Sequence, residues 1–155
     1  MCDTGYSVKR LAEDLRAIAG RGGPEAEMLE QVRGKVKELM MMQHNWLRPS
    51  MTKADSYLLH EEPDHTLAVF VYTSAPGEES PPHEHASWTV IGGLEGWQTH
   101  HRWKRAGAEL VREGSERVDS VTIVALGSGA IHSVQNDSGA RSVTLHVYGK
   151  NPDYT

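Results

Sequence analysis

The chain has 155 residues, 24% of them charged and 38% hydrophobic, with a formal net charge of −5 and a pI near 6.0. That length suits one domain with a sizeable core, and an acidic balance with 6% aromatics and no basic stripe excludes a nucleic-acid partner and favours a small-molecule ligand. A lone cysteine, Cys2, excludes an intrachain disulfide and a cysteine zinc cage; no apolar stretch approaches the ~20 residues of a membrane span and no secretory plan opens the chain, so a cytoplasmic protein without a membrane partner is expected.

Residues 7–19 place Val8, Leu11, Leu15 and Ile18 at helical spacing, with Ser7 as N-cap and Gly20 as stop. A second helix is expected from Pro24, with Glu25 and Glu27 early and apolar residues at Met28, Leu29, Val32, Val36, Leu39 and Met40. The methionines at 40–42 read as gap-filling core. From Tyr57 the texture changes to eight short apolar or β-branched runs, beginning "YLLH" and ending "RSVTLHVY", separated by Gly, Pro and Asp/Asn clusters. This predicts a β-sandwich or barrel over 55–150, a mainly helical lead-in over 1–50 packed on its outside, and a single domain spanning 1–155.

Nine histidines are distributed along the chain. His44, His60 and His65 fall in helix-end or turn contexts that suit solvated or ordinarily hydrogen-bonded imidazoles. His100 and His101 are adjacent on a predicted strand and point to opposite faces, so they cannot both serve one metal; one of them is placed to line a cavity. His83 and His85, in "PPHEHASW", sit two apart and converge on one face of an extended segment. A metal centre with positions open to substrate takes about three protein ligands, and His132 in "GSGAIHSVQN" is the third candidate, because it also follows a glycine-rich turn and opens a strand.

These spacings resemble the cupin superfamily. Gly77, His83, His85 and Gly96 match its first motif, and Gly129, His132 and Asn136 its second. The resemblance implies an all-β double-stranded β-helix, the cupin jelly roll, preceded by the helical segment and holding a metal at His83, His85 and His132. Most cupins add a glutamate where this chain has Thr89 or Val90. A three-histidine cupin with "HEHASWTVIGGLEG" and "SVTLHVYG" looks like the thiol dioxygenases, the group of cysteine dioxygenase and 3-mercaptopropionate dioxygenase, over Tyr57 to Gly149.

That likeness implies an Fe(II)-dependent enzyme whose partners are a small thiol and O2 and whose product is a sulfinic acid. Thr144, His146 and Tyr148 alternate on one strand and face one side; by resemblance they are the catalytic relay ending at the tyrosine hydroxyl, whereas alternation alone suggests an ordinary buried histidine. The chain has Val90 where animal-type relatives carry a cross-linking cysteine, and Ser56 where relatives place a carboxylate-binding arginine. Arg48, Lys53, Arg102 and Arg105 are the available replacement cations, each with the look of a surface charge. Trp88 and Trp97 read as core. The competing readings are a three-histidine cupin dioxygenase acting on a non-thiol substrate, a non-catalytic cupin binding a metal and a small molecule, and a zinc hydrolytic site.

Overall fold

A computed structural model of the protein describes residues 5–154, so Cys2 lies outside the described residues. Helix α1 (Val8–Arg21) starts where the Ser7 hydroxyl accepts from the Arg10 amide at 3.1 Å. It runs through Gly20 rather than stopping there. Glycine inside a helix costs only about 1 kcal/mol, and it is Gly22, with φ +70°, that ends the helix. Helix α2 (Glu25–Met41) follows Pro24, whose extended ψ places it just before the first turn. Of the methionine run, Met40 is buried and Met42 packs against the same core, but Met41 is 71% exposed.

Among the described residues nine strands follow: β1 (Asp55–His60), β2 (Thr66–Ser74), β3 (His83–Glu84), β4 (Thr89–Glu95), β5 (Trp97–Ala106), β6 (Glu109–Asp119), β7 (Ile123–Leu126), β8 (Ile131–Gln135) and β9 (Ser142–Lys150). Eight match the anticipated runs; β3 is the addition, two residues long. They form two antiparallel sheets, ordered β1-β2-β9-β4-β7 and β3-β8-β5-β6.

Strand β9 explains how the layers stack. Val143, Leu145 and Val147 on one face join Leu11, Leu15, Val36 and Leu39 of the helices in one apolar cluster. Full burial of such side chains stabilises by roughly 1.5–3 kcal/mol each. The helices therefore cover the outer face of the five-stranded sheet. The alternate residues Thr144, His146 and Tyr148 point between the sheets and line a cavity. Beside it, Ile91, Val118, Val124 and Leu126 fill the interior with an apolar cluster. Trp88 is buried in the helix-facing core, whereas Trp97 is only half-buried, with the Arg117 guanidinium 3.8 Å above its ring. Among the described residues no helix is long and apolar enough to cross a membrane.

Candidate metal centre

The segment from Gly77 to His85 is tied to the end of β8 before it reaches the first histidine. Gly77 N–H donates to the Asn136 carbonyl and Asn136 N–H to the Glu78 carbonyl, both at 2.8 Å; Ser80 N–H donates to the Val134 carbonyl at 2.8 Å, and its hydroxyl accepts from Val134 N–H at 3.0 Å. The chain then pairs β3 with β8 so that His83 lies opposite His132. His85 falls one residue beyond β3, so strand alternation alone does not aim it. Its carbonyl accepts from Gly129 N–H at 3.2 Å, and Gly129 reaches that geometry with φ +83°, a conformation that favours glycine. Two glutamate contacts brace the same loop: Glu25 of α2 accepts from Ser128 N–H at 2.8 Å and from its hydroxyl at 2.7 Å.

The ligand nitrogens of His83, His85 and His132 all lie within 4.8 Å of one another. His83 Nδ1 donates to the Pro81 carbonyl at 2.9 Å, which leaves Nε2 with its lone pair. His132 is 2% exposed, and neither of its ring nitrogens has a hydrogen-bond partner. A buried imidazole left so is costly unless a ligand takes it up. Burial, then the charge of His83, lowers His85 to about 4, and the same causes hold His132 further down; both rings are neutral at pH 7, the form that binds a metal. The donor set fits a divalent ion that accepts imidazole, a group that includes zinc, copper, iron and nickel. Among the described residues no carboxylate joins it. Of the two residues expected where most cupins carry a glutamate, Thr89 is buried opposite Tyr148 on β4, with a hydroxyl that has no hydrogen-bond partner. Val90 packs in the helix-facing cluster, on the face away from Tyr148.

The three residues expected on one face of β9 are linked in line. Thr144 Oγ1 lies 3.0 Å from His146 Nε2, and His146 Nδ1 lies 3.1 Å from the Tyr148 hydroxyl. Burial keeps His146 neutral and the Tyr148 phenol protonated, pushing the first well below and the second well above its ordinary value. The Tyr148 ring is 5.3 Å from the His85 ring, which brings the chain of hydrogen bonds to the histidine group.

Two participants were not singled out from sequence. Tyr72 of β2 receives the Tyr148 hydroxyl at 3.5 Å and lines the cavity; only the alternation Ala68, Phe70, Tyr72 hinted at its direction. Gln98 also lines the cavity, and its Nε2 lies 3.1 Å from His100 Nε2. His100 is the inward member of the adjacent pair, 2% exposed. His101 faces the other way, with Nδ1 2.6 Å from Ser115 Oγ. The remaining histidines are ordinary: His44 is exposed, His60 meets Glu62 at 2.6 Å, and His65 meets Glu61 at 3.2 Å.

The cavity has a volume of about 440 Å³ and runs from exposed Asp55, Glu78 and Glu79 to buried His132, His146 and Tyr148. None of the replacement cations lines it. Arg102 pairs with Glu116 at 3.0 Å and Arg105 with Glu84 at 2.8 Å. On β1 the residue at the wall is Asp55, not Ser56.

Solved structures share this architecture. An RmlC-like cupin family protein with a double-stranded β-helix fold from Methanocaldococcus jannaschii matches with a TM-score of 0.54 at 14% identity, over 70% of this chain and 90% of its own. A cupin superfamily protein from Desulfitobacterium hafniense matches with a TM-score of 0.51 at 13% identity, over 63% of this chain and 77% of its own. No family model matches the chain. The protein thus has the jelly-roll fold of the cupins, with two helices added at the N-terminal side. Within that fold it carries a three-histidine candidate metal site and an adjoining Thr-His-Tyr hydrogen-bond chain.

Proposed function

We propose that this protein is a non-haem Fe(II) dioxygenase that oxidises a small thiol to a sulfinic acid with O2. The observation that carries the reading is the meeting of two features in one cavity: a candidate metal-binding group made only of imidazoles, and a Thr144–His146–Tyr148 hydrogen-bond chain whose tyrosine ring centre lies 5.3 Å from that of His85. Sequence resemblance to the thiol dioxygenases supports it independently.

The overall change, R–SH + O2 → R–SO2H, is balanced without an outside reductant. Sulfur loses four electrons, dioxygen takes them up, and the thiol proton ends on the product. His83, His85 and His132 would hold the iron, which, bound by neutral imidazoles without a carboxylate, would supply affinity for an anionic sulfur and the activation of dioxygen. The protein's own groups bind and orient. His83 and His132 are held across a strand pair, and the Tyr148 hydroxyl, kept protonated by burial, lines the cavity with its hydrogen directed to Tyr72 at 3.5 Å, a long bond that a bound ligand would replace. His146, neutral and bonded on both nitrogens, fixes that hydroxyl and can hold or return a proton at Nδ1.

The test is oxygen uptake by protein reconstituted anaerobically with Fe(II), with sulfinate identified by mass. One O2 consumed per sulfinate formed supports the proposal; full iron loading with no thiol driving uptake refutes it. Tyr148→Phe is expected to retain iron and lose about 100-fold in rate, and unchanged turnover would remove Tyr148 from the chemistry.

A further inference from the structure

The cavity wall carries charge of one sign. Asp55, Glu78 and Glu79 line it, and no lysine or arginine does. None of these three carboxylates forms an ion pair among the described residues, in contrast to Glu84, Glu95 and Glu116, which each meet an arginine. Asp153, exposed next to the lining residue Pro152, adds a fourth negative charge whose field reaches Tyr72 and Tyr148.

The placement of the acids is structural. Glu78 and Glu79 are held at the wall by the bonds that tie their segment to β8: Asn136 N–H to the Glu78 carbonyl, and the bridge between Glu79 and Gln135. A second observation points to a ligand in the same cavity: His132, 2% exposed and lining it, has both ring nitrogens without a hydrogen-bond partner.

We propose that the substrate of this site carries a positive charge and no carboxylate, an aminothiol rather than a mercapto acid, attracted by Asp55, Glu78 and Glu79. The sulfur in that statement rests on the dioxygenase reading; the charge rests on the cavity wall alone. A carboxylate-bearing thiol would approach three unpaired acids with no cation to receive it, whereas an ammonium group is drawn to them and stays partly solvated at the wall. The position at which relatives place an arginine is not at the wall, and its neighbour there is an acid, so the charge preference is reversed rather than merely lost.

The test is the binding of 2-aminoethanethiol, 2-mercaptoethanol and 3-mercaptopropionate to the Co(II)-substituted protein without oxygen, read from sulfur-to-cobalt charge-transfer absorption. The aminothiol is expected to bind at least about tenfold tighter than the mercapto acid at low salt, with the gap narrowing as ionic strength rises to about 0.5 M. Combined Asp55→Asn, Glu78→Gln and Glu79→Gln, all at exposed positions, should close the gap and leave 2-mercaptoethanol unchanged. Equal or tighter binding of 3-mercaptopropionate overturns the inference. If cobalt loads and none of the three thiols perturbs it, the dioxygenase reading fails and the charge is read separately with amino- and carboxyl-substituted nitroxides. Stronger paramagnetic broadening of the amides of residues 55 and 78–80 by the amino probe upholds the charge preference; equal broadening by the two probes overturns it.

Discussion

Asn136 is the residue whose replacement most directly tests how the loop before the histidines is held. It is fully buried, and its Nδ2 lies within donating distance of the carbonyls of Ala140 (2.9 Å), Ser74 (3.1 Å) and Ala75 (3.1 Å), while Oδ1 accepts from the Ser138 hydroxyl at 2.8 Å. An amide has two hydrogens, so two of the carbonyls are served at once. Asn136→Ala removes those bonds and leaves buried acceptors unpaired, a cost of about 2–3 kcal/mol, which for a chain of this size lowers Tm by about 5–10 °C. Asn136→Asp keeps the shape but puts a charged acceptor where the donor was, facing three carbonyls. Its melting temperature at pH 7, measured by calorimetry, should fall below that of the alanine variant. An aspartate variant that melts at or above the alanine one refutes the reasoning, because it would show that volume rather than donation holds the loop.

Other outcomes follow from the same geometry. His132→Ala should weaken binding of iron or zinc by more than about 100-fold, measured as metal per chain after dialysis; unchanged stoichiometry would remove His132 from the site. Gly93→Ala drives a Cβ into the backbone of Asp119 and should cost about 3 kcal/mol, whereas Gly92→Ala meets only the flexible Met40 side chain and should cost about 1 kcal/mol; equal denaturant midpoints would contradict this. His100 is held at about 4 by burial and then by Arg102, so it stays neutral in the fold while the unfolded chain takes up a proton below about pH 6.5. The share of stability that His100 carries is therefore lost as pH falls from about 6.5 towards 4, on top of the same-signed losses from His85, His132 and His146, and His100→Gln should flatten the slope over that range by up to about 1.4 kcal/mol per pH unit. An unchanged slope in chemical denaturation would show that His100 is not the titrating group.

Both helices and all eight long strands were legible in the sequence because each carries a local signal: apolar spacing near 3.6 for α1 and α2, short apolar or β-branched runs bounded by turn residues for the strands. The short β3 carried no such signal, since two residues after a double proline have no period to read. Gly20 was misread because a glycine inside a helix and one ending it look alike until the backbone shows which has positive φ. Trp97 looked like core, yet it opens β5 half-buried, with the Arg117 guanidinium over its ring.

Sequence by itself determined the fold class, the motif spacing that marks His83, His85 and His132, and the alternation of Thr144, His146 and Tyr148; only the last follows from strand geometry, a local property of the backbone, since His85 lies beyond β3 and its carbonyl is held by the Gly129 amide. Tertiary structure decided what surrounds them. Which of His100 and His101 turns inward, that Tyr72 extends the hydrogen-bond chain, and that Asp55, Glu78 and Glu79 share one wall without a cation depend on how two sheets curl towards each other. That packing brings together residues from β1, the loop after β2 and β8, whose separation along the chain leaves no trace of their proximity.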